Sequence, residues 1–418
     1  MIFEDGVWVA DVIMGGGKTS SIINYINSSG DDERFIYMTP YEKEFERIAE
    51  ACSQKGFVVP VVKRGAKLND LRGILKKGIN VATSHAIFER YTSDMIEFVQ
   101  NNNYTLVIDE AYSVTRMISP DDIKQAIWYI EQNQAYVDQN SHQVMWNYGK
   151  GEPSGSKKDI SQKIIDGRLY SYEDHLMVWQ LPPSMIKAFK TIIVLTYLFD
   201  AQELKFFFDQ HEVSYNYVGT KLDDYGEYCF CSVEESENPT NRFANKIHIL
   251  DNIKLNAIGD SPTSLTSTWA SNDANYNKEG GLQQLGKNVR NVQKNIFRCS
   301  SKDFIWTAYD TKARHFIEDK NIKKGFVVWN KRATNDYGDR HYLAYTINLR
   351  CNPSLKRYFD ALGADYAEDR WALAHLVQWI WRSAIRNGEE IWIYIPSRRM
   401  RTLLTDWIEE VSGGGSAG

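Results

Sequence analysis

The chain has few cysteines, no long apolar run and little excess of charge of either sign. Five cysteines, an odd number scattered along 418 residues, indicate a reducing cytoplasm rather than a disulfide framework. No apolar run reaches the length that crosses a bilayer, and no signal peptide precedes the first strand, so we expect a cytoplasmic protein without a membrane partner. The net charge of −5 predicts no general attraction to nucleic acid, so any polyanion-binding surface must be a local patch.

Clusters of metal-binding residues are also missing from the sequence. Cys229 and Cys231 form a C-x-C pair, but no second cysteine or histidine pair follows at the spacing of a zinc site, and the eight histidines are scattered. Two thiols within Tyr-Cys-Phe-Cys are more typical of packing in an apolar strand. The chain therefore lacks the pattern of a structural zinc module.

A glycine-rich loop, Val-Ile-Met-Gly-Gly-Gly-Lys-Thr, stands directly behind an apolar strand. Glycines have no Cβ, so the backbone N–H groups of this loop can approach a phosphate chain closely. Lys18 can reach the β- and γ-phosphates, the Thr19 hydroxyl can ligate Mg²⁺, and a helix from Lys18 to about Ile26 would point its positive end at the anion. The predicted nucleotide-binding residues are Gly15, Gly16, Gly17, Lys18, Thr19 and Ser20.

A second apolar strand ends in Leu-Val-Ile-Asp-Glu-Ala-Tyr. At such a strand end, Asp109 can hold the metal ion and Glu110 can activate a water. The strict phosphate-binding pattern has a glycine where this chain has Val12, so a structural turn next to an acidic strand end is the alternative interpretation. Two half-motifs in the correct order, each behind a strand, favour a nucleotide triphosphatase site.

The first half of the chain alternates strands and helices. Near-continuous apolar strands separated by helices predict an α/β fold with a parallel sheet covered on both faces. The candidate strands are residues 7–13, 35–39, 80–83, 105–108 and 191–196, with helices at 42–54 and 95–101 between them. Ligands bind beyond the carboxyl ends of such strands, where Lys18, Thr39, Thr83, Asp109 and Thr196 fall, so we predict one composite site.

The remaining segments are less regular. We interpret residues 133–184 as an insertion in the first domain, with a Gly-, Ser-, Lys- and Pro-rich surface loop at 147–158, and its role as structural elaboration or nucleic-acid contact stays open. After residue 217, strands are expected at 246–250, 325–329 and 391–395 and helices at 340–362, 367–386 and 399–411. The segment 412–418 has the composition of a linker.

The ordered set of short motifs resembles superfamily-2 helicases, and more closely the compact DEAD/DEAH-type helicases of bacteriophages and other mobile elements. In motif II, Tyr112 stands at the fourth position. The resemblance covers nearly the whole chain and rests on residues 15–19 (motif I), 38–41 (Ia), 82–85 (Ib), 109–111 (II), 195–197 (III), 331–340 (near motif V) and 378–386 (VI).

The resemblance implies two RecA-like P-loop domains with parallel sheets, residues 1–218 and 219–411, with ATP and Mg²⁺ in the cleft between them. It implies an ATP hydrolase of the helicase type that moves along nucleic acid, DNA rather than RNA, in phage or mobile-element replication or repair. A replication or loading protein is an implied partner, and a bacterial host cytoplasm the implied location.

The resemblance also implies residue roles. Lys18 and Glu110 act in hydrolysis, Thr19 and Asp109 bind Mg²⁺, and Gln378, Arg382 and Arg386 approach the γ-phosphate from the second domain. Residues Thr39, Thr83 and Thr196 connect the nucleotide state to strand binding. In motif VI, Trp381 replaces the usual glycine and the second arginine comes one residue late, so Arg382 is the better candidate for the arginine finger.

Other interpretations remain open at this stage. Arg382 and Arg386 can instead belong to a solvated basic helix face, because four-residue spacing puts them on one face with Gln378. Arg398, Arg399 and Arg401 can contact phosphates or form a solvated helix terminus. The whole chain can be a nucleotide-gated binding protein with little turnover, or a packaging or restriction motor.

Overall fold

The computed structural model describes residues 3–40, 42–61, 67–110, 112–150, 158–172, 176–236, 240–276, 280–309, 320–330, 336–364 and 366–412. These residues divide into two compact units. The first takes the described residues within Met1–Val12, Gly17–Glu237 and Asn352–Tyr366, and the second those within Ile13–Gly16, Asn238–Cys351 and Ala367–Gly418. No helix among the described ranges is long and apolar enough to span a membrane.

The described residues contribute strands to four sheets. In chain order they are β1 Gly6–Asp11, β2 Arg34–Met38, β3 Val81–Thr83, β4 Tyr104–Asp109, β5 Thr115–Met117, β6 Ala135–Val137, β7 Val144–Trp146, β8 Leu169–Tyr172, β9 Leu176–Gln180, β10 Thr191–Thr196, β11 Tyr215–Leu222, β12 Tyr228–Cys231, β13 Ile247–Ile249, β14 Phe304–Thr307, β15 Tyr342–Tyr345 and β16 Ile391–Tyr394.

The first unit is built on a seven-stranded sheet in the order β12-β11-β1-β10-β4-β2-β3. All neighbours pair in parallel except β11 and β12. β4 and β10 are buried along their whole length, as expected for strands covered on both faces. The α/β class with parallel sheets is therefore confirmed, and 191–196 has the predicted bounds.

Helices connect these strands and cover both faces of the sheet, where two apolar clusters form the core. The helix Lys18–Ser28 supplies Ile22 and Ile26 to the cluster on one face. The helices of the first unit are Lys18–Ser28, Glu42–Ala51, Lys67–Lys76, His85–Phe88, Ser93–Asn101, Pro120–Glu131, Lys158–Ile165, Pro183–Lys187, Glu203–Gln210 and Pro353–Ala361.

The segment between β4 and β10 is larger than the predicted insertion at 133–184. It holds an antiparallel sheet in the order β5-β9-β8 and a hairpin of β6 with β7. Strand β5 pairs with β9, so this substructure already begins ahead of residue 133. Its apolar side chains join the core cluster of the main sheet, and it is therefore part of the first unit's core. Most of the predicted loop at 147–158 lies outside the described residues.

The first unit also extends past the predicted boundary at residue 218. That boundary falls inside β11, which pairs with β1 and continues into the pairing with β12. Cys229 and Cys231 lie on β12, where Cys231 is buried and Cys229 half-buried.

A helix from the second half of the chain, Pro353–Ala361, also belongs to the first unit. The buried Tyr358 hydroxyl accepts a hydrogen bond of 2.9 Å from Gln180 Nε2, and Phe359 packs on Phe206. The predicted second domain at 219–411 is therefore not one continuous stretch, because residues 352–366 belong to the first unit.

The second unit holds a four-stranded parallel sheet in the order β13-β16-β15-β14. Residues from its helices pack on β14, β15 and β16 in a third apolar cluster. The helices of this unit are Thr240–Ala244, Ile253–Asn256, Ser267–Ser271, Asp273–Tyr276, Gly281–Asn291, Lys320–Lys323, Glu368–Ile380 and Arg398–Ser412.

Three predictions for this unit were wrong. The expected strand at 325–329 makes only an isolated bridge, between Phe326 and Trp306 of β14. The strand that joins the sheet in this part of the chain is β14 itself, at Phe304–Thr307. The expected helix at 340–362 begins instead with β15, whose Leu343 and Ala344 pair inside the sheet. The helix expected at 367–386 ends at Ile380 and is followed by a separate 3₁₀ turn, Ala384–Asn387.

Candidate functional site

The glycine-rich loop joins the end of β1 to the helix Lys18–Ser28. Gly15 and Gly17 have φ angles of +82° and +85°, in the left-handed region that side-chain-bearing residues rarely adopt. Gly17 is the N-cap of the helix, and a Cβ there would lie 2.0 Å from the Tyr228 ring. Both the backbone conformation and the neighbouring ring therefore require glycine at this position.

Lys18 is surrounded by carboxylates. Its Nζ donates a hydrogen bond to the Val12 carbonyl, and Asp109, Asp11 and Glu110 interact with it electrostatically. Burial lowers the pKa of Lys18 to about 8, and the three acids oppose that decrease. The structure therefore brings the predicted phosphate-binding lysine together with both acids of the second motif.

Asp109 is the last residue of β4 and its carboxylate is buried. The Tyr37 hydroxyl donates a hydrogen bond of 2.6 Å to Asp109 Oδ2. Burial, with a contribution from the charge of Glu110, raises the pKa of Asp109 to about 7, while the Tyr37 and Lys18 interactions act in the opposite direction.

Glu110 follows in an unusual backbone conformation. Its φ is +72°, and its N–H donates a 3.0 Å hydrogen bond to the carbonyl of Leu195 on β10. A non-glycine residue held there stores on the order of 1–3 kcal/mol of strain, and such strain concentrates at functional sites. The Leu195 contact fixes where this second acid stands relative to the sheet.

The composition of the site suits Mg²⁺ with a phosphate chain. Mg²⁺ prefers hard oxygen ligands, which Asp109 and Thr19 supply. The helix Lys18–Ser28 has no acidic residue in its first turn, and its glycine N-cap carries no side chain that competes for the first N–H groups. Thr19 is half-buried and Ser20 is exposed.

The three threonines predicted to couple the site to nucleic acid lie at the carboxyl ends of the parallel strands, the same end of the sheet as the nucleotide site. Thr39 follows β2 and donates its N–H to the Thr83 carbonyl at 3.1 Å, and Thr196 ends β10. All three side chains are buried. The Thr196 hydroxyl accepts a hydrogen bond from Gln202, so its position is tied to the segment that follows β10.

Asp11 was not among the site residues predicted from the sequence. It ends β1 opposite Thr196, and its Oδ2 accepts the Phe199 N–H at 3.0 Å. The residue before Phe199, Leu198, has a φ of +55°. Asp11 thus holds a strained turn directly after the third motif. A carboxylate at the end of a buried strand, next to a phosphate-binding loop, was the signal for it.

The motif VI residues do not share one helix face. Gln378 lies in the helix Glu368–Ile380, Arg382 follows the end of that helix, and Arg386 lies in the 3₁₀ turn Ala384–Asn387. Arg382 is buried, with 5% of its surface accessible, whereas Arg386 is exposed to solvent. The helix ends too early for the four-residue spacing to place them on one face, so that prediction was wrong.

Arg382 is bound within its own unit. Its Nη1 donates to the Val328 carbonyl at 2.9 Å and its Nη2 to the Trp329 carbonyl at 3.4 Å. The 3₁₀ turn beyond it contacts the described end of the motif V stretch, where the Ala384 N–H donates to the Arg340 carbonyl at 2.9 Å. Residues 331–335 of that stretch, Tyr41 of motif Ia and Ala111 of motif II lie outside the described residues.

Two of the three arginines in the last helix are used inside the fold. Arg399 bonds Asp369 at 2.7 Å and the Leu349 carbonyl at 2.7 Å, and Arg401 bonds the Ile395 carbonyl at 2.8 Å. Of the three, Arg398 is exposed, and Arg399 and Arg401 are half-buried. The basic run is thus largely a set of internal contacts, an interpretation that the sequence did not suggest.

Comparison with known proteins identifies a family that matches part of the chain and a relative that matches nearly all of it. The family described as "YonV C-terminal Rossmann-like domain" matches residues 241–408. The "SPbeta prophage-derived uncharacterized protein YonV" of Bacillus subtilis (strain 168) is 34% identical over 417 residues, covering 96% of this chain and 98% of that protein.

Solved structures are more distant. Xpd4 of S. tokodaii is 13% identical with a TM-score of 0.46 and covers 96% of this chain and 94% of its own. The "DUF1998 helicase MrfA bound to DNA" is 12% identical with a TM-score of 0.35 and covers 94% of this chain and 46% of its own.

Because the relative from B. subtilis matches nearly end to end, the chain belongs to the YonV family.

Proposed function

We propose that this protein is an ATP hydrolase that drives movement along nucleic acid, as a helicase or translocase. The observation that carries the proposal is the meeting of Lys18 with Asp109 and Glu110 at the carboxyl ends of β1 and β4. A cation on the glycine-rich loop after β1, and two acids at the end of β4 on the other side of β10, are the parts that phosphoryl transfer to water requires.

Each residue has a role that follows from its chemistry. The loop of Gly15, Gly16 and Gly17, with Ser20, binds the phosphates through the backbone, and Lys18 neutralises charge on the β- and γ-phosphates. Thr19 and Asp109 hold Mg²⁺, which supplies further charge neutralisation when bound. Glu110 orients the attacking water, and its constrained backbone keeps its carboxylate in place.

Gln378, Arg382 and Arg386 complete the proposed hydrolysis site. An arginine that reaches the transferred phosphoryl group raises turnover by about 10³–10⁵. For Arg382 to act in this way, its guanidinium has to exchange the Val328 and Trp329 carbonyls for phosphate oxygens. Hydrolysis then depends on a rearrangement, and this dependence is what makes a hydrolase usable as a motor.

The nucleic-acid part of the proposal rests on the order of the short motifs and on the sheet edge where Thr39, Thr83 and Thr196 lie. These threonines end or follow strands next to the nucleotide site, so a change at Lys18 can reach them through the paired strands β1, β10, β4 and β2. DNA is the favoured polymer, and the prophage origin of the relative supports a role in replication or repair of a mobile genome.

One observation favours a second function. Hydrogen bonds to the Val328 and Trp329 carbonyls engage the Arg382 guanidinium within its own unit. A protein that keeps this arrangement with nucleotide bound is a nucleotide-gated binding protein with little turnover. Turnover that disappears in Glu110→Gln distinguishes the motor from the gated binder, since the binder has little turnover to lose.

The proposal is tested by steady-state ATP hydrolysis without polymer and with single-stranded DNA, duplex DNA or RNA, with Lys18→Ala as the blank. We expect turnover at least about tenfold higher with one polymer, DNA before RNA. Measurable ATP binding without turnover under every condition would contradict an autonomous motor and support the gated binder.

A further inference from the structure

We infer that Tyr37 is a positioning residue that orients the Asp109 carboxylate for Mg²⁺, an inference that rests on the proposed function. The Tyr37 hydroxyl lies 2.6 Å from Asp109 Oδ2, and both side chains are buried. This is the relation between a metal-binding carboxylate and the outer partner that fixes its orientation.

The sheet register produces this contact. β2 pairs with β4 in parallel, and Tyr37 stands opposite Val107. Side chains alternate along a strand, so Asp109, two residues after Val107, points to the same face as Tyr37. That face is covered by the helix Lys18–Ser28, whose Ile22 packs in the same apolar cluster. The ring of Tyr37 is thus held by the core while its hydroxyl reaches the end of β4.

The hydrogen bond makes the two oxygens of the Asp109 carboxylate unequal. An ionised carboxylate only accepts, so the phenol is the donor, and burial keeps the pKa of Tyr37 well above 10. With one lone pair of Oδ2 engaged by Tyr37 and the carboxylate plane thereby fixed, Oδ1 would be the less engaged oxygen for a metal ion. The donor also favours the charged carboxylate against the effect of burial.

Packing alone does not account for the hydroxyl. Phe35, two residues earlier on the same strand face, fills the same cluster without one. A buried hydroxyl is unfavourable unless it is paired, so a tyrosine in this cluster is explained by a partner that needs a donor. Asp109 is that partner.

The test is a Mg²⁺ titration of the binding of a fluorescent ATP analogue to wild type and Tyr37→Phe. Loss of an outer-shell partner lowers metal affinity by about 10- to 100-fold, so we expect the Mg²⁺ midpoint of the variant to rise at least about tenfold. Binding of the analogue in EDTA should stay within about twofold, because the hydroxyl that is lost bonds Asp109 and not a group that binds phosphate.

Tyr104→Phe is the matched control. Tyr104 is also fully buried and its hydroxyl donates a 2.7 Å hydrogen bond, but to the Ile79 carbonyl at the opposite end of β4. The Tyr104→Phe variant loses a tyrosine hydroxyl from the same sheet, as Tyr37→Phe does. It should therefore lower thermal stability and leave the Mg²⁺ midpoint unchanged. Tyr37→Met, which also lacks the hydroxyl, repeats the test if Tyr37→Phe melts below the assay temperature.

The outcomes separate this inference from the function beneath it. A wild-type protein that binds the analogue, with both Tyr37 variants matching its Mg²⁺ midpoint, overturns the inference alone. An equal shift in Tyr104→Phe also overturns it, because the effect is then general to the sheet. A wild-type protein that binds no nucleotide at any Mg²⁺ concentration overturns the proposed function and this inference together.

Discussion

Replacing Gly17 by alanine tests the conformation of the glycine-rich loop. The residue has a φ of +85°, and the new Cβ would lie 2.0 Å from Cδ1 and 2.3 Å from Cγ of the Tyr228 ring. The backbone conformation costs a non-glycine residue about 1–2 kcal/mol. Forcing the ring aside adds about 1–3 kcal/mol, as overpacking does in cores. We therefore expect the free energy of unfolding of the first unit to fall by about 2–5 kcal/mol.

Gly56→Ala isolates the backbone part of this effect. Gly56 has a φ of +63°, and nothing lies within 4 Å of its Cβ position. We expect it to lose only about 1–2 kcal/mol. In the double variant Gly17→Ala/Tyr228→Ala the ring is absent, so its stability loss should be smaller than the sum of the two single losses.

The assay is urea unfolding followed by circular dichroism, which gives a midpoint and a slope for each variant. A Gly17→Ala protein no less stable than Gly56→Ala would contradict the expected clash between the new Cβ and Tyr228. Strict additivity with Tyr228→Ala would show that the ring does not oppose the Cβ.

Three further predictions follow from the site. Burial raises the pKa of Asp109 from 3.8 to about 7, so its proton stabilises the fold fully below pH 3.8 and this stability is lost as pH rises through about 7. Asp109→Asn, which does not titrate, should therefore melt higher than wild type at pH 8 in EDTA, and an equal or lower melting temperature would count against the raised pKa. Asp11→Ala leaves the Phe199 N–H without its acceptor and should lower stability by about 1–3 kcal/mol, whereas Asp11→Asn keeps an acceptor oxygen and should lose less; equal losses in urea unfolding would disprove the contact. Arg382→Ala should abolish ATP turnover and keep nucleotide binding, and retained turnover would show that the finger is elsewhere.

Much of the first sheet was predictable because its strands are continuous apolar runs that end at polar residues. The buried strand 191–196 has the same bounds in sequence and structure. Lys18 and Asp109 were expected together for the same reason, since the carboxyl ends of parallel strands share one edge. The apolar strand pattern and the residues at the strand ends are therefore enough to predict where the site lies.

What was missed depends on contacts across the sequence. β15 is four residues long and its flanks have helical periodicity, so only pairing with β14 and β16 identifies it. The Tyr37–Asp109 hydrogen bond depends on the register of two strands, which no local pattern specifies. The burial of Arg382 depends on a helix that ends at Ile380.

In the proposed function, Lys18, Asp109 and Glu110 form one ATP-hydrolysing site. Calorimetric titration of ATP with Mg²⁺, combined with phosphate release at saturating DNA, tests it most directly on wild type, Lys18→Ala and Glu110→Gln. We expect wild type to bind and hydrolyse ATP, Lys18→Ala to lose binding, and Glu110→Gln to bind normally but turn over at least about 100-fold more slowly. Equal turnover in wild type and Glu110→Gln, or unchanged ATP binding in Lys18→Ala, would contradict it.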